Sequence, residues 1–243
     1  MGVMFCLWLV VLLCEFVVSW SGGKESALSL YSALRDGFRV SYLMSFVSSF
    51  GRSMSHALNV DLLKAQAEAI GIPLVTKEVT WESYEQGFKE LVNDLKPRGI
   101  GGCIFGDVWV AEHKEWTERV CRELGIKALS PLFNNEPEDI FREFIKLGFE
   151  AVVIMVKREL LGEEWLGRKL DQDFLDDLVR INRSKNVDIL GELGEYHTFV
   201  YDGPIFKKRI VITGVRKMPR ENAIYLDITD FRLEKKGREL KNF

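Results

Sequence analysis

The sequence predicts an α/β fold: an open parallel sheet with helices on both faces, followed by a smaller α+β domain. Three observations carry that expectation. Strand-like and helix-like stretches alternate in units of roughly 30 residues, the spacing of strand–helix–strand crossovers. The strand-like stretches are continuous apolar runs, as expected where both faces of a sheet are covered. The first of them stops in a glycine pair at the start of a helix, on the edge where open α/β sheets bind ligands.

In chain order, Glu15–Ser19 reads as the first core strand and Lys24–Arg35 as a helix with Ala27, Leu28, Tyr31 and Leu34 on one face. Asp36-Gly37 stops that helix, and the β-favouring run 38–46 follows as a second strand. After a polar loop over 48–55, the spacing of Leu58, Leu62, Ala65 and Ala69 predicts a helix over 54–70. Gly71-Ile72-Pro73 ends it. Strands are then expected at 74–79, 100–105, 128–129 and 149–156, with helices at 81–95, 112–124 and 137–147. These units define a first domain over 1–157. Beyond it the composition shifts, and residues 158–243 read as the smaller domain. It has a helix over 172–182 capped by Asp171, and strand-like stretches at 209–213 and 223–232. No internal repeat and no low-complexity segment is present.

At 243 residues the chain can bury a sizeable core, and its net charge of −3 gives no global basic field. General nucleic-acid binding is therefore not expected. The basic residues Lys207, Lys208, Arg209, Arg216, Lys217 and Arg220 read as a solvated charged edge. Four cysteines show neither a CxxC pair nor a Cys/His spacing for zinc, so no metal-ligating set is predicted. They suit a reducing interior, and a cytoplasmic location is expected. Residues 1–14 form an apolar extension. No Lys or Arg precedes it and no small-residue cleavage site follows, and its uninterrupted run is shorter than the ~20 residues of a spanning helix. Prolonging the first strand, covering the sheet, association such as a homodimer, and a membrane tether all remain open for it.

Two stretches carry chemistry. In Ser19-Trp20-Ser21-Gly22-Gly23-Lys24-Glu25-Ser26 the glycine pair lets the backbone approach a ligand, and free N–H groups at the helix start point toward it. Lys24 adds a mobile positive charge, and Ser21 and Ser26 add hydroxyls. The spacing excludes the common mononucleotide loop, which needs four residues between its first glycine and Gly-Lys-Ser/Thr. An ordinary strand-to-helix turn is the alternative. Gly106-Asp107 lies at the same sheet edge. The second stretch runs Gly191-Glu192-Leu193-Gly194-Glu195-Tyr196-His197-Thr198. If 195–201 is a strand, Glu195 and His197 share one face and Tyr196 and Thr198 the other. A plain surface turn is the competing reading.

The loop resembles the nucleotide loop of the diphthine–ammonia ligase family of PP-loop ATP pyrophosphatases. Three further stretches resemble that family in the same order: His56 with 62–74, Phe105-Gly106-Asp107-Val108, and Gly191-Glu192-Leu193-Gly194-Glu195-Tyr196 continuing to Phe206. The chain departs from it at Glu25, where the loop usually has Asp, and at Leu193, where Gly or Asn is usual. The resemblance implies an adenine-nucleotide α-hydrolase-like sheet and an AMP-forming C–N ligase. In that reaction ATP adenylates a carboxylate, pyrophosphate leaves and ammonia forms the amide. The implied acceptor is diphthine on translation elongation factor two, with ATP, Mg2+ and ammonia required. Ser21, Gly22, Gly23, Lys24, Glu25, Ser26, Gly106 and Asp107 would bind nucleotide, and Lys24, Glu192, Glu195 and His197 would be catalytic. His56 would orient a loop near the nucleotide or be a helix-start histidine without special function. A PP-loop ATPase acting on RNA or on another small carboxylate, and a nucleotide-binding regulatory module without turnover, are the alternative functions.

Overall fold

A computed structural model of the protein describes residues 14–185 and 187–237. Cys6 and all but the last residue of the apolar extension lie outside the described residues. Strands β1 (Glu15–Ser19), β2 (Arg39–Val47), β3 (Leu74–Glu78), β4 (Ile100–Ile104) and β5 (Lys127–Leu129) form one sheet in the order β3-β2-β1-β4-β5. All its pairings are parallel. Helices α1 (Lys24–Arg35), α2 (Val60–Ile70), α3 (Tyr84–Leu95) and α4 (Ala111–Leu124) make the crossovers, and α5 (Pro137–Lys146) leads from β5 to the second sheet. Phe16 and Val18 pack into one apolar layer and Val17 into the other, so β1 is apolar on both sides. The strand order reverses between β1 and β4, and the crevice at their carboxyl ends is where such sheets bind ligands.

The second sheet has the order β7-β6-β9-β8 and is antiparallel. It is built from β6 (Glu150–Lys157), β7 (Tyr196–Asp202), β8 (Lys208–Pro219) and β9 (Ala223–Lys235). The run at 149–156, read in sequence as the last strand of the parallel repeat, is β6 of this sheet. Helix α6 (Gln172–Lys185) begins where expected, with Asp171 Oδ1 accepting from Phe174 N at 2.9 Å. The sheet docks on the first unit through backbone bonds, Val200 N to Gly22 O (3.0 Å) and Lys207 N to Ala69 O (2.7 Å). One apolar cluster accordingly runs from Phe16 and Leu62 to Phe199 and Ile210. Four residues of the basic edge are paired: Lys208 with Glu68, Arg209 with Glu150, Arg216 with Asp227 and Lys217 with Glu163.

Two helices start later than their apolar spacing predicts. Helix α2 begins at Val60 and not at 54, because Ala57 has a φ of +53° and Asn59 caps the helix by accepting from Asp61 N at 3.0 Å. His56 therefore lies in a loop. Helix α3 begins at Tyr84 because Thr80 and Ser83 exchange side chain-to-backbone bonds that close a turn ahead of it.

Candidate active site

A cleft of about 280 Å³ opens at the carboxyl ends of β1, β2 and β4 and is walled on its far side by the turn before β7. The loop after β1 forms its floor. Gly22 takes a φ of +83°, and a Cβ there would come within 2.8 Å of Gln66 Oε1, so both conformation and space require glycine. Gly23 caps α1, and its N–H donates to Ser21 Oγ at 3.2 Å. Ser21 Oγ also donates to Ser26 Oγ (3.1 Å), which donates to Gly23 O (3.0 Å). The Lys24 N–H donates to Thr198 Oγ1 on β7 at 3.1 Å. At the start of α1, the N–H groups of Glu25 and Ser26 have no acceptor among the described residues. They are the anion-seeking ends of the helix.

Lys24 differs from its expected mobility. It is 4% exposed, donates to Leu190 O at 2.6 Å, pairs with Glu25 Oε1 at 2.6 Å, and lies 4.5 Å from the Tyr196 ring centroid. It is a fixed charge, clamped between the loop and the turn. Gln66 does more than its place in the helix suggested. Fully buried, it accepts from Trp20 Nε1 (2.9 Å) and donates to Gly22 O (2.9 Å) and Val200 O (2.7 Å), stitching loop, α2 and β7 together. Its sequence signal was a polar residue one helical turn beyond Leu62 on the apolar stripe.

The turn before β7 brings Glu192 into the cleft. Gly191, with a φ of +69°, has no room for a Cβ beside Tyr196 O, 2.8 Å away. Glu192 Oε2 accepts a single long bond, from Val108 N at 3.3 Å. Burial, with the Glu25 carboxylate next, pushes Glu192 up to about 8. Asp107 lines the same cleft, 3.7 Å from His113 Nδ1. Its Oδ2 is buried with no hydrogen-bond partner among the described residues, and burial raises its carboxyl above the ordinary range. Gly106 lies against α1, where a side chain would approach Glu25 Cβ to 3.1 Å.

His197 and His56 stack at 4.4 Å between centroids with an interplanar angle of 27°. Burial, then the charge of Lys24, pushes His197 down to about 4, and burial holds His56 well below its usual value. Both imidazoles are neutral near pH 7. Glu195 does not join His197. Strand β7 starts at Tyr196, so the expected alternation does not extend back to Glu195. Its Oε1 accepts from Asp188 N at 3.3 Å, and it lines a separate cavity.

The other end of the cleft is apolar. Met44 and Phe46 at the end of β2, Met54, Trp81 and Tyr84 line it, with Trp81 and Tyr84 stacked at 5.9 Å. The sequence does not single these out, because aromatic and thioether side chains at the end of a strand or the start of a helix read as packing residues. A flat heterocycle fits between such groups, with its charged appendage toward Ser21–Ser26. Among the described residues no three His, Cys, Asp or Glu side chains cluster to hold a metal ion. The unpartnered Asp107 oxygen fits a cation held chiefly by phosphate oxygens.

Comparison with known proteins agrees with this geometry. The family model for the diphthamide synthase N-terminal domain matches residues 14–128, and that for the C-terminal domain matches 136–233. The diphthine–ammonia ligase of Schizosaccharomyces pombe is 28% identical over 79% of this chain, which spans 35% of that protein. Those of Rattus norvegicus and Mus musculus are 27% and 25% identical over 79% and 91% of this chain, and 80% and 91% of their own lengths. With both domain models matched in order and the loop, turn and sheets in place, the chain belongs to the diphthamide synthase family, the diphthine–ammonia ligases.

Proposed function

We propose that the protein is an ATP-dependent, AMP-forming amide ligase that converts diphthine on translation elongation factor two to diphthamide in the cytoplasm. The observation that carries this reading is the meeting, in one cleft, of two unpaired N–H groups at the start of α1 with Glu192, whose carboxyl titrates near 8. The first is a seat for the β and γ phosphates; the second is a proton-handling group matched to neutral pH.

In the reaction, an oxygen of the acceptor carboxylate attacks the α-phosphorus and the α–β bridging oxygen leaves with pyrophosphate. Ammonia then attacks the acyl carbon and AMP departs, while the new nitrogen gives up a proton. Ser21, Ser26 and the Glu25 and Ser26 N–H groups grip the leaving diphosphate, with Lys24 as a fixed positive charge above the glycine pair. Met44, Phe46, Trp81 and Tyr84 hold the adenine. Magnesium, when bound, would neutralise phosphate oxygens, and Asp107, with its unpartnered carboxylate oxygen, is the residue that would hold it. Glu192 is the favoured acceptor of the amine's proton, because His197 at about 4 is too weak a base for an ammonium. His197 and His56 instead act as a neutral pair that keeps the glycine loop in place. Cys103 and Cys121 are buried, which weighs against sulfur transfer to RNA.

The test is incubation with labelled ATP, magnesium, ammonium and diphthine-bearing elongation factor. AMP and pyrophosphate should appear only with the acceptor present. Accumulation of ADP, or acceptor-independent release of AMP, would sink the reading.

A further inference from the structure

The loop between β2 and α2 brings His56 into the cleft, and the residue after that histidine is the loop's most strained. Ala57 has a φ of +53°, a left-handed conformation that crowds a Cβ against the following carbonyl oxygen. Three bonds within the loop gather around it: Ala57 N to Ser53 O (3.0 Å), Ser53 N to Leu58 O (2.8 Å) and Leu58 N to Ser53 Oγ (3.1 Å). The Ala57 carbonyl accepts from Arg52 Nη1 at 2.9 Å. The same guanidinium reaches out of the loop, with Nη2 donating to Asp227 Oδ1 on β9 at 2.8 Å. Asp227 is 8% exposed, and its other oxygen accepts from Arg216 Nη2 at 2.9 Å. Arg52 thus uses the fixed fork of its N–H groups to tie a strained peptide to the second sheet.

What the tie secures is His56. Its ring stacks on His197, and a Cβ at Gly23 would meet its Nε2 at 2.6 Å, so the imidazole lies directly against the loop after β1. Nδ1 of that ring is buried with no hydrogen-bond partner among the described residues, which leaves packing and the backbone beneath it to set its place. We infer that Arg52 is a positioning residue for the cleft: it holds Ala57 in the left-handed conformation and so keeps His56 on His197 and against Gly23. Arg52 does not line the cleft and acts only through the loop. Its consequence for ATP rests on the amidation reading; its hold on the histidine stack does not.

Two arginines share Asp227, and that makes the test specific. The full chain has three histidines, so their imidazole C–H signals can be followed by NMR, with that of His56 identified by its loss in His56→Asn. Arg52→Leu should shift the His56 and His197 signals together, as each ring leaves the other, and lower kcat/KM for ATP in acceptor-dependent AMP formation at least about fivefold. Arg216→Leu removes the other arginine on Asp227 but leaves the Ala57 carbonyl held, so both signals should stay in place and the rate should change less than about twofold. Ala57→Gly added to Arg52→Leu should restore signals and rate, because glycine adopts this φ unaided. Should Arg52→Leu fail to fold, Arg52→Lys, which lacks the fork that spans both acceptors, should show a smaller displacement with the same rescue. Unmoved histidine signals, an equal effect of Arg216→Leu, or no rescue by Ala57→Gly overturns the inference, as does a displaced stack with an undiminished rate. Unmoved signals in a chain that forms AMP spare the amidation reading. A displaced and rescued stack in a chain that never forms AMP removes that reading and leaves the hold of Arg52 on His56 standing.

Discussion

The loop after β1 and the turn before β7 face each other across one cleft, and they are built on opposite terms. In the loop, hydroxyls, carbonyls and the Lys24 ammonium have protein partners, and two backbone N–H groups are left over. In the turn the reverse holds. Its backbone is tied down, Gly194 N to Gly191 O at 2.9 Å and Gly191 N to Asp188 O at 3.1 Å, while two of its carboxylates are poorly served. Glu192 has one long bond and Glu195 an oxygen with none. Satisfied polar groups fix a shape; unsatisfied ones are held ready for a proton or a ligand. The loop is a rigid seat, and the turn is where protonation and charge can change.

The largest effect expected from this contrast lies in what holds the seat. Gln66→Leu keeps the volume but strands the Trp20 indole N–H and Val200 O in the core. Leaving buried polar groups unpaired should cost about 2–4 kcal/mol, a fall of roughly 5–12 °C in Tm by thermal denaturation. A change under about 1 kcal/mol would mean that the loop does not owe its shape to these bonds, and the contrast would break.

Next in size is the clamp between the two regions. Lys24→Ala removes the charge above the glycine pair and leaves Leu190 O and Glu25 without their partner. AMP formation should drop about tenfold or more, equivalent to ~1.4 kcal/mol of transition-state stabilisation. An unchanged rate would take the loop out of the mechanism.

The two regions were also unequally legible in the sequence. The loop is local: strand, glycine pair and helix follow one another, so its position could be read from eight consecutive residues. The turn's chemistry depends on which sheet β7 joins. Continuous apolar runs look alike in a parallel or an antiparallel sheet buried on both faces, which is why β6 was read into the wrong one. Burial of Glu192 beside Glu25, and the separation of Glu195 from His197, are long-range consequences of that topology. Stacking of His56 on His197 needed a loop that apolar spacing had disguised as a helix. Gln66 left one trace, a polar residue on an apolar stripe, whose partners lie 44, 46 and 134 positions away.

A smaller effect, read in pH, sharpens the contrast. Glu192 titrates at about 8 in the folded protein against an ordinary value of 4.5, because burial and Glu25 disfavour its charge. Its favourable contribution to stability is complete below pH 4.5 and is lost as pH rises through 8. Relative to Glu192→Gln, the Tm of the unsubstituted chain should therefore fall by several degrees, roughly 8 °C, between pH 5 and pH 9. The rate of amide formation should rise toward pH 8 in the unsubstituted chain and lose that limb in Glu192→Gln. Parallel pH profiles would place the proton acceptor elsewhere.

The smallest effect is expected at Leu193, where the family usually has Gly or Asn. The side chain is 57% exposed, and the only described non-glycine residues with positive φ are Ala57 and Asn134, so Leu193 carries no left-handed strain. Gly191 and Gly194 take the left-handed conformations at +69° and +76°, and Lys157 holds the Leu193 carbonyl whatever its side chain. Leu193→Gly should therefore cost no more than about 1 kcal/mol, chiefly through the freedom a glycine gives the unfolded chain, and change AMP formation less than about threefold. Thermal denaturation and the acceptor-dependent AMP assay read the two numbers. A tenfold gain in rate would show that the turn's backbone, and not the burial of its carboxylates, limits the chemistry, and the line drawn between a fixed seat and a poised turn would have to move.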